Sequence, residues 1–343
     1  MLIFHDPVHA RHEALSELHD GRLLRSFECP ERMEHILGAL AEARFAAPVR
    51  PEPVPLGVLE AVHDPGYLRF LETAHDRWVA EHGGGEAIAF TWPVPGLRRT
   101  RPPEDINGAL GHYNFSVDTC ITAGTWDAAL GAAASAHAAA AVVAAGRGPA
   151  FALGRPPGHH AHADLYGGYC YLNNAAVAAE TLRTAGAARV AVLDVDYHHG
   201  NGTQAIFYER PDFLTVSIHA DPAAEFPYFL GHADERGAGA GEGANVNLPL
   251  PAGTGIGAWS RALDRAIHEV SRHRAEALVV SLGVDTYEGD PISRFTLATG
   301  DYPGIGARLA RIGLPTVLVM EGGYAVEALG ANVAGVLGGF SGA

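Results

Sequence analysis

The chain has 343 residues, 48% of them apolar, which is ample for a well-buried core. Its formal net charge of -15 repels nucleic acid and anionic membrane surfaces and favours cationic ligands. All 24 basic residues are arginine, which excludes Schiff-base chemistry on lysine and a phosphate-loop lysine.

From the N-terminus, "MLIFHDPVHARHEALSELHD" lacks the basic region and apolar segment of a signal sequence, and no apolar run reaches the roughly 20 residues of a membrane-spanning helix. Cys29, Cys120 and Cys170 lie far apart without CxxC spacing, so neither a disulfide framework nor a thiolate zinc site is indicated. The expectation is a cytoplasmic protein with no nucleic-acid or membrane partner. Next, "PERMEHILGALAEARF" and "DPGYLRFLETAHDRWVAEH" carry apolar residues at helical spacing. "WPVPGLRRTRPPED" (Trp92 to Asp105) reads as a long surface loop, and "TWDAALGAAASAHAAAAVVAAG" as an Ala-rich, buried helix. No repeat or interdomain linker is visible, so residues 1–343 read as a single domain.

From about Pro149 the texture changes to short continuous apolar runs between helical patterns: "AFAL", "RVAVLDV", "FLTVSI", "EALVVSLGV" and "PTVLVM". Continuous runs indicate strands covered on both faces, so the fold class is doubly wound α/β with a central, mostly parallel sheet flanked by helices. Each run is followed by a polar cluster: "GRPPGHHAH", "DYHHGNG", "HAD", "DTYEGD" and "EGGY". Ligands of open parallel sheets bind beyond the carboxyl ends of the strands, so these clusters converge on one site. Two other signals fail: "HGGG" (His82 to Gly85) has no accompanying G-x-S-x-G, and "GAGEGA" (Gly239 to Ala244) precedes "NVNLPLP", which cannot open a helix.

Asp194, Asp196 and His198 share one face if extended, and two or three of them could meet one cation. Asp285 adds a carboxylate from another strand, giving the open three-ligand set of a catalytic zinc. His159 and His160 could exchange a proton with water and a leaving amine, with Asp194 and Asn201 the nearest orienting partners. Tyr324, after two glycines, could donate to an oxyanion. Taken singly, Asp-x-His reads more readily as chance or a helix cap, the histidine pair as a solvated loop, and Gly-Gly-Tyr equally well as a turn over a buried aromatic.

"RPPGHHA", "DVDYHHGNG", "LGVDTYEGDP" and "EGGY", in that order, resemble the arginase-deacetylase superfamily, specifically the histone deacetylase family, as do "CPERM" and "VHDPGYLRFLE". "GEAIAF", "GTWDAAL", "GGYCYLNNAAVAA", "NGTQAIFYERPDF" and "FPYFLGHADERGAGAG" are most similar to its branch of bacterial acetylpolyamine amidohydrolases. The resemblance implies Asp196, His198 and Asp285 as ligands of Zn(II), with Fe(II) the alternative. It implies His160 as general base and then acid, His159 as an electrostatic partner near Asp194, and Tyr324 as oxyanion donor. Asn201 stands beside His160 where some branches have Asp. A structural potassium is implied at Asp194, Asp196, His198, Ser217 and Ile218, and acyl-tunnel walls at Tyr169 and Phe226. The segment from about 83 to 118 matches an insertion that builds a homodimer and narrows the mouth, with Asn107 and Asp118 at two positions that are acidic in that branch. The expected activity is deacetylation of small cationic acetamides such as acetylputrescine, acetylcadaverine or acetylspermidine. The alternatives are a protein-lysine deacetylase, which needs an open mouth, and a non-catalytic binder of acetylated ligands.

Overall fold

The five apolar runs form strands, and two short segments join them in one sheet. In chain order the strands are β1 (Leu2–Phe4), β2 (Glu17–His19), β3 (Arg22–Leu24), β4 (Ala150–Ala152), β5 (Val190–Asp194), β6 (Phe213–Ala220), β7 (Asn245–Leu250), β8 (Ala277–Leu282) and β9 (Thr316–Met320). These come from a computed structural model, which describes residues 1–342. The large sheet has the order β1-β4-β9-β8-β5-β6-β7. Every pairing within it is parallel, so the expected "mostly parallel" becomes entirely parallel among the described residues. β2 and β3 form a separate antiparallel hairpin.

The helices are α1 (Glu31–Glu42), α2 (Leu56–Glu60), α3 (Pro65–His82), α4 (Ile106–Tyr113), α5 (Thr125–Ala144), α6 (Asn174–Thr184), α7 (Asn201–Phe207), α8 (Ile256–His273), α9 (Tyr302–Ala310) and α10 (Val326–Ser341). Alternate strand residues face opposite layers. Val190, Val192, Val279 and Val317 pack with α3, α5 and α6, whereas Ala191, Leu193, Val280 and Leu318 pack with α1, α8, α9 and α10. Continuous apolar strands are the consequence of two covered faces. α5 is long and apolar enough for a membrane span, but 67% of its most apolar stretch is buried, as expected of a core helix.

Residues 92–105 carry no helix or strand, in agreement with the loop reading. The chain then enters α4, which the sequence did not announce. Asp105 caps it, its Oδ1 accepting from the N–H of Asn107 at 2.9 Å and of Gly108 at 3.4 Å. The edge strands β1 and β7 and the β2–β3 hairpin were also not foreseen, being too short or too polar for a periodicity signal.

Burial ranks the side chains by their contribution. Leu318→Ala, at a fully buried position of β9, is expected to lower unfolding stability by about 2–5 kcal/mol. Leu23→Ala, 71% exposed on the hairpin, should change it by less than about 0.5 kcal/mol in the same urea titration.

Candidate active site

β5 ends at Asp194, and the residues beyond it leave the regular ladder. The turn is held by side chains. Asp194 Oδ1 accepts from Asp196 N at 3.1 Å, Asp196 Oδ1 from His198 N at 2.8 Å, and Asp285 Oδ1 from Tyr197 N at 2.8 Å. Because the strand stops there, the three acidic and imidazole groups do not all share a face. Asp196 and His198 meet Asp285, while Asp194 turns to His159.

Asp196, His198 and Asp285 are buried and present donor atoms within 4.8 Å of one another. His198 Nδ1 lies 3.0 Å from Asp285 Oδ2 and 3.4 Å from Asp196 Oδ1. A tetrahedral centre with bonds of about 2.0 Å has edges of about 3.3 Å, so the donor set fits a small divalent cation. Two glycines make room for it. A Cβ on Gly283 would lie 2.0 Å from Asp196 Oδ2, and one on Gly322 would lie 2.5 Å from Asp196 Oδ2 and 2.6 Å from Asp285 Oδ2. Burial and the charge of Asp196 push the Asp285 carboxyl up to about 8, a repulsion that a bound cation relieves.

The tandem histidines follow β4. Glu321 Oε2 accepts from Gly158 N at 2.6 Å and His159 N at 3.1 Å, pinning the loop to the end of β9. His159 Nδ1 lies 2.9 Å from Asp194 Oδ2; burial opposes its protonation, but Asp196 and Asp194 outweigh burial and push the imidazole up to about 10. His160 Nδ1 lies 2.6 Å from Asn201 Oδ1. Burial, with the charges of His159 and His198, holds His160 well below the ordinary histidine range. The two rings are 4.0 Å apart, yet their surroundings push one up and hold the other down.

Tyr324 is fixed from both sides. Asp290 Oδ2 accepts from Tyr324 N at 2.7 Å and Ala325 N at 3.3 Å. Arg32 donates from Nε to Gly323 O at 2.7 Å and from Nη2 to Glu321 O at 2.6 Å, its guanidinium 4.9 Å from the Tyr324 ring centre. Burial pushes the phenol well above its ordinary range, so it stays a donor. Arg32 also donates to Glu28 Oε1 at 3.0 Å, which accepts from Arg155 Nε at 2.7 Å as well.

His160, His198 and Tyr324 line the same cavity of about 210 Å³. Tyr169 and Phe226 form its walls, with Phe226 edge-on to His160 at 5.0 Å. Tyr169 has φ 63°, uncommon for a bulky residue, and is clamped there: its OH donates to Glu17 Oε1 at 2.9 Å and its N–H to Thr119 Oγ1 at 2.8 Å. Asp118 lines the cavity and accepts from Ser116 Oγ at 2.6 Å. Asn107 does not line it; on α4 its Nδ2 reaches Glu81 at 3.3 Å and its Oδ1 lies 3.2 Å from His82 Nε2. Ser217 is the register partner of Asp194, with Ile218 next to it on β6. Sequence reasoning missed Asp20 and Glu225 on the cavity wall and the supports Glu17, Glu28, Arg32, Asp290 and Glu321. Arg32, Asp290 and Glu321 lie inside the quoted "CPERM", "DTYEGD" and "EGGY" and were the ones most open to detection.

The pattern of the histone deacetylase domain matches residues 26–340, and the chain belongs to the histone deacetylase family. It is 51% identical to an acetylpolyamine amidohydrolase of Mycoplana ramosa over 100% of both chains. It is 50% identical to acetylpolyamine amidohydrolase 1 of Pseudomonas aeruginosa, over 100% of this chain and 99% of that one. The crystal structure of an acetylpolyamine aminohydrolase from Burkholderia pseudomallei superposes with a TM-score of 0.94 at 42% identity, covering 99% of this chain and 98% of that one.

A divalent transition-metal ion at 100 times its dissociation constant should stabilise chelator-stripped protein by about 2.7 kcal/mol. The Tm rise should vanish in Asp285→Asn, which removes one donor charge. A second prediction concerns Glu28. Burial alone would raise its carboxyl, but Arg155, Arg32 and His12 hold it down at about 2 against an ordinary 4.5. Stability from Glu28 is therefore complete above pH 4.5 and is lost as pH falls toward about 2. Glu28→Gln should cost about 3–5 kcal/mol at pH 7, and the gap to wild type should narrow on acidification below pH 4.5, followed by chemical denaturation.

Proposed function

We propose that this chain is an amidohydrolase that removes the acetyl group from acetylpolyamines such as acetylputrescine, acetylcadaverine and acetylspermidine. The observation that carries this is one cavity lined by His198 of the Asp196–His198–Asp285 donor set, the imidazole of His160 and the phenol of Tyr324, with Asp20, Asp118 and Glu225 on its wall. An acetamide reaches the first three groups while a distal ammonium meets the carboxylates. Full-length identity to acetylpolyamine amidohydrolases supports the same substrate class.

Asp196, His198 and Asp285 would hold Zn(II), with Fe(II) the alternative for this two-carboxylate, one-imidazole set. When bound, such an ion polarises the acetamide carbonyl and acidifies water. His160 takes the proton of the attacking water and returns it to the departing amine. His159, kept cationic by Asp194 and Asp196, favours the negative charge that develops on the carbonyl oxygen. Tyr324 donates a hydrogen bond to that oxygen. K+ bound at Asp194, Asp196, His198, Ser217 and Ile218 is our reading of the adjoining strand ends, supported by the Asp194–Ser217 register.

We read residues 1–343 as one catalytic unit, with the segment 83–118 at its mouth. Within that segment Phe90, Val94 and Leu97 are 66%, 56% and 63% exposed, an apolar surface that supports burial in a homodimer. Asn107, turned away from the cavity of its own chain, would then act at the partner's mouth or not at all.

The test is kcat/KM on metal-reconstituted enzyme for acetylputrescine, acetylcadaverine and an acetyl-lysine peptide. The small amines should exceed the peptide by about tenfold or more, equivalent to about 1.4 kcal/mol of transition-state binding. A peptide preference points to the protein-lysine deacetylase, and no turnover of any acetamide by metal-loaded protein to the non-catalytic binder. His160→Ala should lower kcat by about 10²–10⁴ with metal content unchanged.

A further inference from the structure

A carboxylate beside an imidazole can only accept, whereas an amide can present either end. Asn201 occupies this place next to His160, so its orientation decides the tautomer of His160. With Oδ1 facing His160, Nδ1 must carry the proton and Nε2 is free to act as base. With the amide turned over, Nδ2 donates to Nδ1, the proton sits on Nε2 and the base is disabled. The catalytic role proposed for His160 therefore needs something that breaks the symmetry of the Asn201 amide.

On the far side of Asn201, its Nδ2 lies 2.9 Å from His162 Nε2, while its Oδ1 is 2.6 Å from His160 Nδ1. His162 is the last residue of "GRPPGHHAH" and has no part in the mechanism above. Its backbone is held at both ends: N–H donates to Leu165 O at 2.9 Å, and C=O accepts from His63 Nδ1 at 2.9 Å. Its ring rests against Phe115 at 5.7 Å, on the wall of an apolar groove shared with Trp92 and Leu165. With its proton on Nδ1, the tautomer that this contact calls for, a neutral ring offers its Nε2 lone pair to the amide nitrogen, whereas the other tautomer would donate to Oδ1 and turn the amide over.

We propose that His162 is a positioning residue that fixes the orientation of the Asn201 amide and, through it, the base-competent tautomer of His160. Burial keeps the His162 ring neutral, holding it down at about 4, with Asp164 pulling it up and Arg99 pushing it down. The device is local and needs no movement of the backbone.

The inference rests on the His160 assignment, and the experiment separates the two. Steady-state kinetics with acetylputrescine on fully metal-loaded enzyme compare His162→Phe in two backgrounds, Asn201 and Asn201→Asp. A carboxylate at 201 accepts whichever way it is turned, so it does not need His162. In the native background His162→Phe should lower kcat by about tenfold or more with KM changed by less than about twofold, since a wrong tautomer alone can cost about 10⁴. In the Asn201→Asp background the same substitution should change kcat by less than about twofold. Equal losses in both backgrounds, or no loss in the native one, overturn the proposal. If His162→Phe does not fold, His162→Met, which also lacks a strong acceptor, is read in the same way. His160→Ala is measured alongside: its full activity would overturn the base assignment and this inference with it, whereas its inactivity with a silent His162→Phe overturns the inference alone.

Discussion

The site depends on two wholly buried carboxylates, Asp196 and Asp285, held against each other at the ends of neighbouring strands β5 and β8. In a low-dielectric interior such a pair is unstable without positive charge between or beside it. The surrounding sequence answers that need in several ways. The backbone after β5 donates N–H groups to the carboxylates, and Gly322 N adds another to Asp196 Oδ2 at 2.8 Å. His159, pushed up by Asp196 and Asp194 against the opposing effect of burial, favours a positive charge beside them. Gly283 and Gly322 leave the space that the carboxylates require.

The same arrangement gives two adjacent histidines different surroundings. His159 faces Asp194, and with Asp196 that carboxylate pushes it up against the opposing effect of burial; burial, with the charges of His159 and His198, holds His160 down, and the amide of Asn201 offsets this only in part. Neighbouring groups driven apart in protonation are what acid–base work requires. An aspartate at position 201 would strengthen the hold on a protonated His160 and raise its affinity for the proton. Asparagine trades that strength for a weaker pull, and in exchange the orientation of its amide has to be controlled.

Much of this was legible in the sequence because parallel α/β architecture links pattern to position. Runs such as "RVAVLDV" revealed strands covered on both faces, and the polar residues after each run fell at the strand ends where they converge. Asp194 shows the limit of the pattern. An extended reading put it on one face with Asp196 and His198, but the strand stops at Asp194 and the Asp side chains cap the irregular turn that follows. α4 was hidden for the opposite reason, since a loop-like Pro/Arg stretch runs directly into its Asp105 cap. Asp20 and Glu225 reach the cavity through a hairpin and a long connection, and no local period encodes such tertiary approach.

The supporting charges explain why so much of the chain is needed to hold so few groups around one cavity. Arg32, from α1, bonds the carbonyl groups of Glu321 and Gly323 and lies over Tyr324; Arg155, beside the tandem histidines, bonds the carbonyl groups of His9 and His12. Both guanidiniums share the single carboxylate of Glu28. The N-terminal segment, the histidine loop and the tyrosine loop are thereby tied through one buried ionic centre. Its net energy is small once desolvation is counted, but its geometry is demanding, and removing any member leaves a buried charge uncompensated. The benefit is positional: the phenol on one loop and the imidazole on another are held to a common frame, which matters more to a reaction sensitive to ångström displacements than the stability of the pair itself.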